Sequence, residues 1–196
     1  PNGSGYTPGT YDDVRIYNRA LSADEIYALY KERTVAVNSS QNGKLTNGLV
    51  GLWSFDGADM QGTTAYDRSG SGNNGTLSNN PVRVIGKLGQ ALSFNGTNNS
   101  VSIGNPSILT FGANQDFSMG MWMKTTASPG STKPFAKSNV NTFGVGWGMY
   151  QTSGTVYLKI GDGSSVKYEQ GVGPMNDGKW HHIFFTISRA GNCARY

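Results

Sequence analysis

The sequence predicts an all-β fold, an antiparallel jelly-roll β-sandwich with one short helix near the N-terminus. Charged residues make up only 14% of the chain, whereas glycine alone accounts for 28 of its 196 residues. Short apolar stretches separated by Gly, Asn and Ser turns recur from Leu49 onward, and one convincing helical pattern precedes them. Low charge combined with regular short strands and turn signals is typical of β-sandwiches.

The first strand is predicted over Tyr11–Tyr17. Successive side chains of a strand point to opposite faces of its sheet. Asp12 is therefore expected on the same face as Val14 and Ile16, with Asp13 on the opposite face.

A capped helix of about ten residues is predicted next. In the sequence "SADE", the Ser22 hydroxyl can accept a hydrogen bond from the backbone N–H of Glu25, and the Glu25 carboxylate can accept one from the backbone N–H of Ser22. The spacing of Ile26, Leu29 and Tyr30 places these three side chains on one face of the helix. The polar stretch that follows, residues 34–47, contains Asn-Gly turn signals and is predicted to be a linker.

From Leu49 the chain alternates between short strands and turns. The predicted strands are "LVGLWSF", "ALSFNG", "SVSIG", "FSMGMWMKT", "FAKS", "FGVGWGMYQ", "VYLKIG", "VKYEQG" and "WHHIFFTISR". Trp53, Trp122 and Trp180 stand in apolar strands, and we expect them to be buried.

Charge and hydropathy argue against nucleic-acid and membrane partners. The net charge is +4, but the basic residues are scattered, whereas a nucleic-acid-binding face needs a cluster. No apolar run approaches the roughly 18 residues of a membrane-spanning helix. Cys193 is the single cysteine, so no disulfide can form within the chain. An extracellular or cell-surface β-protein without disulfides indicates a prokaryotic origin.

Four stretches, in order, resemble the LamG-like jelly-roll family, which is related to concanavalin A-like lectins and glucanases. They are "GLVGLWSFDG" with "AYDRSGSGNNGTL", "GKLGQALSFNGTNNSVSIG", "DFSMGMWMKT" and "NDGKWHHIFFTISRAGN". The resemblance covers about 150 residues and implies a concanavalin A-like sandwich.

The stretch "YDDVRIYNRALSADEI" resembles the closing strand and following helix of the same family, but it stands at the start of the chain. The resemblance therefore implies that residues 1–33 end one repeat and that residues 48–196 form most of the next, without its C-terminal strands. Such an order is typical of a tandem array. The first strand would complete either this chain's own jelly roll or that of a neighbouring copy, and the second arrangement would build a head-to-tail filament.

The sequence predicts a protein without catalytic activity. Glycoside hydrolysis needs two carboxyl groups about 5–10 Å apart, and no two acidic residues are spaced to share one face of a strand. His181 and His182 are adjacent and would point to opposite faces of a strand, so they are poorly placed to share a metal ion.

Calcium binding is implied by the family resemblance. The loop "YDRSGSGNNG" offers oxygen ligands of the kind that Ca²⁺ prefers. Carried over by motif, the ligands are Asp67 and Asn74, joined by Asp12 or Asp13 from the first strand. The alternative is a turn stabilised by its own Asp and Asn side chains.

Two functions remain open from the sequence. The first is an adhesion or carbohydrate-binding module of a cell-surface protein that recognises a glycan or another surface ligand. Possible aromatic platforms are Trp147, Tyr150, Tyr157 and Tyr168, although for any one of them a position in the sheet core is the better expectation. The second is a structural subunit of a surface filament, in which self-association of copies is the function.

Overall fold

A computed structural model describes residues 5–32, 43–112, 114–137, 146–161, 166–189 and 192–195. Within these residues the strands are β1 (Pro8–Tyr17), β2 (Leu49–Trp53), β3 (Met60–Gln61), β4 (Thr64–Ala65), β5 (Gly75–Ser78), β6 (Val82–Ile85), β7 (Gln90–Asn95), β8 (Ser100–Ser102), β9 (Phe117–Lys124), β10 (Thr132–Lys137), β11 (Gly146–Thr152), β12 (Thr155–Gly161), β13 (Val166–Val172), β14 (Trp180–Ser188) and β15 (Asn192–Arg195). The helices described are α1 (Ala23–Lys31) and the single turn α2 (Gly43–Thr46).

The described strands form three antiparallel sheets. The largest has the order β15-β14-β9-β1-β7-β6, with β2 also paired to β1. The second has the order β10-β11-β12-β13, and a small third sheet has the order β3-β4-β5-β8. The all-β antiparallel sandwich predicted from the sequence is confirmed, and every strand predicted from Leu49 onward overlaps an observed one. The short strands β3 to β6 were not predicted.

Strand β1 lies in the middle of the largest sheet of its own chain. One edge pairs with β9 along most of its length. The other edge pairs first with β7, through Pro8 to Tyr11, and then with β2, through Val14 to Tyr17. The N-terminal strand is thus hydrogen-bonded on both sides within this chain. Most of the predicted linker lies outside the described residues, and its last part contains α2.

A bulge in β1 overturns the predicted alternation of its side chains. Asp12 pairs with Trp122 and Arg15 with Gly120, so Asp13 and Val14 together oppose one residue of β9. Asp13 adopts a positive φ of 50°. Because the extra residue shifts the side-chain phase by one, Asp12 lies on the face opposite Val14, and the prediction that they share a face is wrong.

The main core fills the space between the two larger sheets. The largest sheet contributes inward-facing side chains from β1, β9 and β14, and the second sheet contributes alternate residues of β11 and β12. The members from these five strands include Tyr11, Val14, Ile16, Met119, Met121, Met123, Ile183, Phe185, Ile187, Trp147, Met149, Val156, Leu158 and Ile160.

Helix α1 covers the outer face of the largest sheet. Ile26 and Leu29 are buried there against Tyr17 and Phe184, which form a second apolar cluster. The predicted capping box is confirmed, because Ser22 and Glu25 exchange both hydrogen bonds. No helix among the described residues is long and apolar enough to cross a membrane.

Two polar contacts fix α1 in this position. Before the helix, the backbone N–H of Leu21 donates to the hydroxyls of Ser118 and Thr186, at 2.9 and 3.1 Å. After the helix, Glu32 forms an ion pair with Arg15, which also binds Asp13 at 3.0 Å. Since both ends of α1 are tied to the sheet, the space between the helix and β14 has a defined shape.

Candidate functional site

A groove of about 540 Å³ runs between α1 and β14, and we call it the α1–β14 groove. Its helical wall carries Asp24, Tyr27 and Tyr30, and its sheet wall carries Trp180, His181 and His182. An open, largely aromatic groove with a few polar groups is the usual form of a small-molecule binding site.

The aromatic wall of the groove is exposed. Tyr27 is 59% and Tyr30 is 48% exposed, although large aromatic side chains are usually more buried. The two rings stack with their centroids 6.2 Å apart. Tyr30 also stacks on the buried Trp122 at 5.5 Å, and the Lys31 ammonium lies 5.1 Å from the centroid of the Tyr27 ring. These contacts hold an exposed aromatic surface in a fixed orientation.

The polar groups of the groove are a carboxylate and two imidazoles. Asp24 is exposed in the first turn of α1. The Nε2 atom of His181 lies 2.7 Å from a carboxylate oxygen of Asp177, and this bond holds the pKa of Asp177 below its usual value. Burial, with the charge of Arg15, lowers the pKa of His182 to about 4. His182 is therefore a neutral imidazole near pH 7, with one hydrogen-bond donor and one acceptor.

The predicted calcium loop is closed by its own hydrogen bonds. One oxygen of Asp67 accepts from the backbone N–H groups of Leu52 and Ser69, and the other accepts from Asn73. The side-chain oxygen of Asn74 accepts from the backbone N–H of Asp67 at 2.9 Å. The structure thus brings Asp67 and Asn74 together, in the turn-like arrangement considered as the alternative to a metal site.

Asp12 and Asp13 are placed elsewhere. Asp12 is fully buried, and its Oδ2 atom accepts from the backbone N–H groups of Lys87 and Leu88, both at 2.8 Å. Asp13 is buried in the ion pair with Arg15. The hydrogen bonds and ion pairs of Asp12 and Asp13 described above do not reach the Asp67 loop. Among the described residues, no group of three or more His, Cys, Asp or Glu side chains is arranged to hold a metal ion. Since Ca²⁺ also takes amide and carbonyl oxygens, calcium binding stays a prediction.

Two of the four possible aromatic platforms are buried, which is the core position expected for any one of them. Trp147 is buried in the main core, and its indole N–H donates to the backbone oxygen of Leu109. Tyr150 is fully buried. Tyr157 is half-buried on the second sheet, and the side chain of Tyr168 lies outside those described.

The burial predictions for tryptophan are confirmed for Trp53 and Trp122. Trp180 is only half-buried, because it stands at the start of β14 and lines the groove.

Sequence reasoning missed the two tyrosines of α1 as site residues. Tyr30 was assigned to the buried face with Ile26 and Leu29, and Tyr27 was not considered. The signal was the spacing of three residues between the tyrosines, which places both rings on neighbouring positions of one helical surface. Only the packing of α1 on the sheet shows that this surface borders a groove.

Comparison with known proteins identifies the sandwich. A family model described as the concanavalin A-like lectin/glucanases superfamily matches residues 95–196, slightly more than half of the chain. The match includes β14, whereas α1 lies before it. Comparisons with curated proteins and with solved structures found no match.

Proposed function

Because the chain belongs to the concanavalin A-like lectin/glucanases superfamily, we propose that it is a non-catalytic carbohydrate-binding module and that the α1–β14 groove holds the glycan. Laminin G-like domains are typically binding modules without catalytic activity. The observation that carries the proposal is the exposed stacked pair of Tyr27 and Tyr30 beside the polar side chains of the groove.

The chemistry of the groove suits a sugar ring. A pyranose has a face of C–H bonds, which packs on an aromatic ring, and a rim of hydroxyl groups, which form hydrogen bonds. Tyr27, Tyr30 and Trp180 supply aromatic surface. Asp24 accepts hydrogen bonds from hydroxyls, and the neutral His182 both donates and accepts.

Several carboxylates form ion pairs with arginine, and this supports a binding function rather than hydrolysis. Asp13 and Glu32 both bind the buried Arg15. Asp59 accepts from Ser54 at 2.6 Å and pairs with Arg68 at 3.0 Å. Hydrolysis needs two carboxyl groups that both reach the glycosidic bond, and carboxylates engaged by an arginine are poorly placed for it.

The test is glycan binding by matched variants. The protein is screened on a glycan array, and the best ligand is titrated by calorimetry against Tyr27→Ala, Tyr30→Ala and the control Tyr157→Ala. We expect each groove variant to weaken binding at least about tenfold, as for a central aromatic contact, and the control to bind normally. A loss confined to Tyr157→Ala would move the site to the second sheet, and the absence of any saturable glycan would contradict the proposal.

Location outside the cell, at a prokaryotic cell surface, is part of the same proposal. It is supported by the low charge of the chain and the family of its sandwich. Labelling of intact source cells with an antibody to the chain tests it, because an intracellular protein would be labelled only after the cells are opened.

Calcium binding at the Asp67 loop is a separate proposal, supported by the convergence of Asp67 and Asn74 on one loop. Calorimetric titration with CaCl2 should give saturable binding, and EDTA should lower the melting temperature. A chain that responds to neither has no calcium site.

The filament is the less favoured function. Strand donation requires β1 to leave a sheet in which both of its edges are already paired. Electron microscopy and sedimentation at several concentrations would detect regular polymers, which would revive this alternative.

A further inference from the structure

Asp24, in the first turn of α1, differs from the other described carboxylates in its surroundings. Each of the others accepts a hydrogen bond or forms an ion pair within the protein. The Asp24 carboxylate does neither with any residue that the structure describes, and it lines the α1–β14 groove in an exposed position. Its negative charge is therefore not balanced by a direct contact inside the protein.

The groove offers this carboxylate no positive side chain. No lysine or arginine is among the described residues that line it. His182 is a neutral imidazole near pH 7, and His181 is engaged by Asp177, which also lies 3.7 Å from the ammonium of Lys179. An anionic sugar would therefore meet no lysine or arginine there, whereas a cationic sugar would meet a carboxylate.

A cation bound to Asp24 would also lie beside an aromatic ring. Asp24 and Tyr27 are three residues apart on α1, and this spacing makes them neighbours on the helix surface. The Lys31 ammonium already lies 5.1 Å from the centroid of the Tyr27 ring, so the ring accepts a cation from the C-terminal side. Asp24 stands seven residues before Lys31, about 10 Å along the helix axis, a separation at which salt screens much of the repulsion between exposed charges.

Given the proposed glycan-binding function of the groove, on which this rests, we infer that the groove selects an amino sugar with a free, protonated amine. Asp24 is the residue that determines this specificity. The rings of Tyr27 and Tyr30 pack against the sugar, and its ammonium group forms an ion pair with Asp24. N-acetylation removes the positive charge and a uronic acid reverses it, so both kinds of sugar should bind more weakly.

The experiment compares three trisaccharides of the same linkage, in which each ring carries an amine, an acetamide or a hydroxyl at the same carbon. They are the trimers of glucosamine, N-acetylglucosamine and glucose. Each is titrated into the full chain by calorimetry at about pH 5.5, where the amines are protonated.

The variants are Asp24→Asn, which removes the charge and keeps the size of the side chain, and the matched control Asp116→Asn. The Asp116 carboxylate accepts from the backbone N–H of Arg189 and lies outside the groove lining. Circular dichroism and denaturation confirm that both variants are folded.

We expect the glucosamine trimer to bind the parent chain about threefold to thirtyfold more tightly than the glucose trimer. This is the combined range of an exposed ion pair and an exposed cation–π contact. Asp24→Asn should remove most of that preference, because its affinity for the glucosamine trimer falls more than its affinity for the glucose trimer. Asp116→Asn should keep the preference.

The other outcomes separate the specificity of the groove from its function. Equal affinities of the parent chain for the three trimers, tighter binding of the N-acetylated trimer, or equal losses of all three in Asp24→Asn would overturn the role of Asp24. The groove would remain a glycan site in each case if Tyr27→Ala weakened binding. A preference for a uronic acid on the array would likewise overturn the selection of an amino sugar alone, whereas the absence of any saturable glycan would overturn both.

Discussion

Asp12 and His182 flank Trp122 on adjacent strands of the largest sheet, and their titrations should have opposite effects on stability. Burial raises the pKa of Asp12 from 3.8 to about 7, although the N–H groups of Leu88 and Lys87 oppose this. Burial, with the charge of Arg15, lowers the pKa of His182 from 6.5 to about 4. Between pH 4 and 7 both side chains are therefore mainly uncharged in the folded protein.

The direction in which each titration changes stability depends on whether the folded or the unfolded state binds more protons. Between the two pKa values of Asp12 the folded state binds the extra proton, so its stabilising contribution is complete below pH 3.8 and lost as the pH rises through 7. For His182 the unfolded state binds the extra proton, so stability rises with pH from about 4 to 6.5. With 1.36 kcal/mol per tenfold change in proton affinity, raising the pH from 4.5 to 7.5 costs about 3 kcal/mol through Asp12. The same change restores about 2–3 kcal/mol through His182.

The free energy of unfolding of the parent chain should therefore depend only weakly on pH, because the effects of Asp12 and His182 are opposite in sign and similar in size. Asp12→Asn leaves the His182 effect, so the free energy of unfolding should rise by about 2–3 kcal/mol from pH 4.5 to 7.5. His182→Phe leaves the Asp12 effect, so the same quantity should fall by about 3 kcal/mol. Burial also raises the pKa values of Glu32 and Asp56, which adds to the fall.

Urea denaturation at four pH values measures these slopes, with EDTA present so that no metal ion competes for Asp12. The pH slope carries the test, because either substitution can also change stability by a constant amount. If Asp12→Asn and the parent chain gave parallel curves, burial would not control the titration of Asp12. Parallel curves for His182→Phe would refute the reasoning for His182.

Three further substitutions test the packing by denaturation. Trp122→Ala should destabilise the fold by about 3–5 kcal/mol, whereas Trp122→Phe should cost much less because the indole N–H has no partner among the described residues. Gly120→Ala should cost about 1–3 kcal/mol, since a Cβ there would lie 1.9 Å from the Phe184 ring. Ser22→Ala should cost about 1 kcal/mol by removing the helix cap, and Ser128→Ala, at an exposed serine outside α1, is its control. A Trp122→Ala variant of parent stability, a neutral Gly120→Ala, or equal effects of the two serine changes would contradict these assignments.

The parts of the fold that depend on local sequence were predictable. The capping box of α1 needs only Ser22 and Glu25 at a spacing of three residues, and the strands from Leu49 onward follow apolar runs between turns. The short strands β3 and β4 have two residues each, which is too few for a side-chain pattern to be recognised.

The bulge of β1 could not be predicted from alternation, because its cause is tertiary. At this point the neighbour of β1 changes from β7 to β2, and residues 86–89 bring two backbone N–H groups to Asp12. Gly86 permits this approach, since a Cβ on it would lie 2.6 Å from the Asp12 carboxylate. The motif "GKLG" was recognised in the sequence, but nothing local shows which carboxylate it covers.

The surroundings of the aromatic residues also could not be predicted from local sequence alone. An apolar strand predicts that Trp122 is buried, and it is, but the layer that buries it is α1 rather than the second sheet. Trp147 and Tyr150 were possible sugar platforms, yet both are covered. Burial of a strand residue depends on what packs on each face of its sheet, and that information is distant in sequence.

The α1–β14 groove depends on the central position of β1. Tyr11 and Val14 belong to the main core, whereas Arg15 holds the end of α1, which bears the tyrosines of the groove. The bulge at Asp13 is what directs Val14 inward and Asp12 outward, because without the extra residue one of the two would be on the wrong face. The first strand of the sequence therefore does more than complete the sheet, since its bulge at Asp13 sets which side chains face the main core and which face the helix.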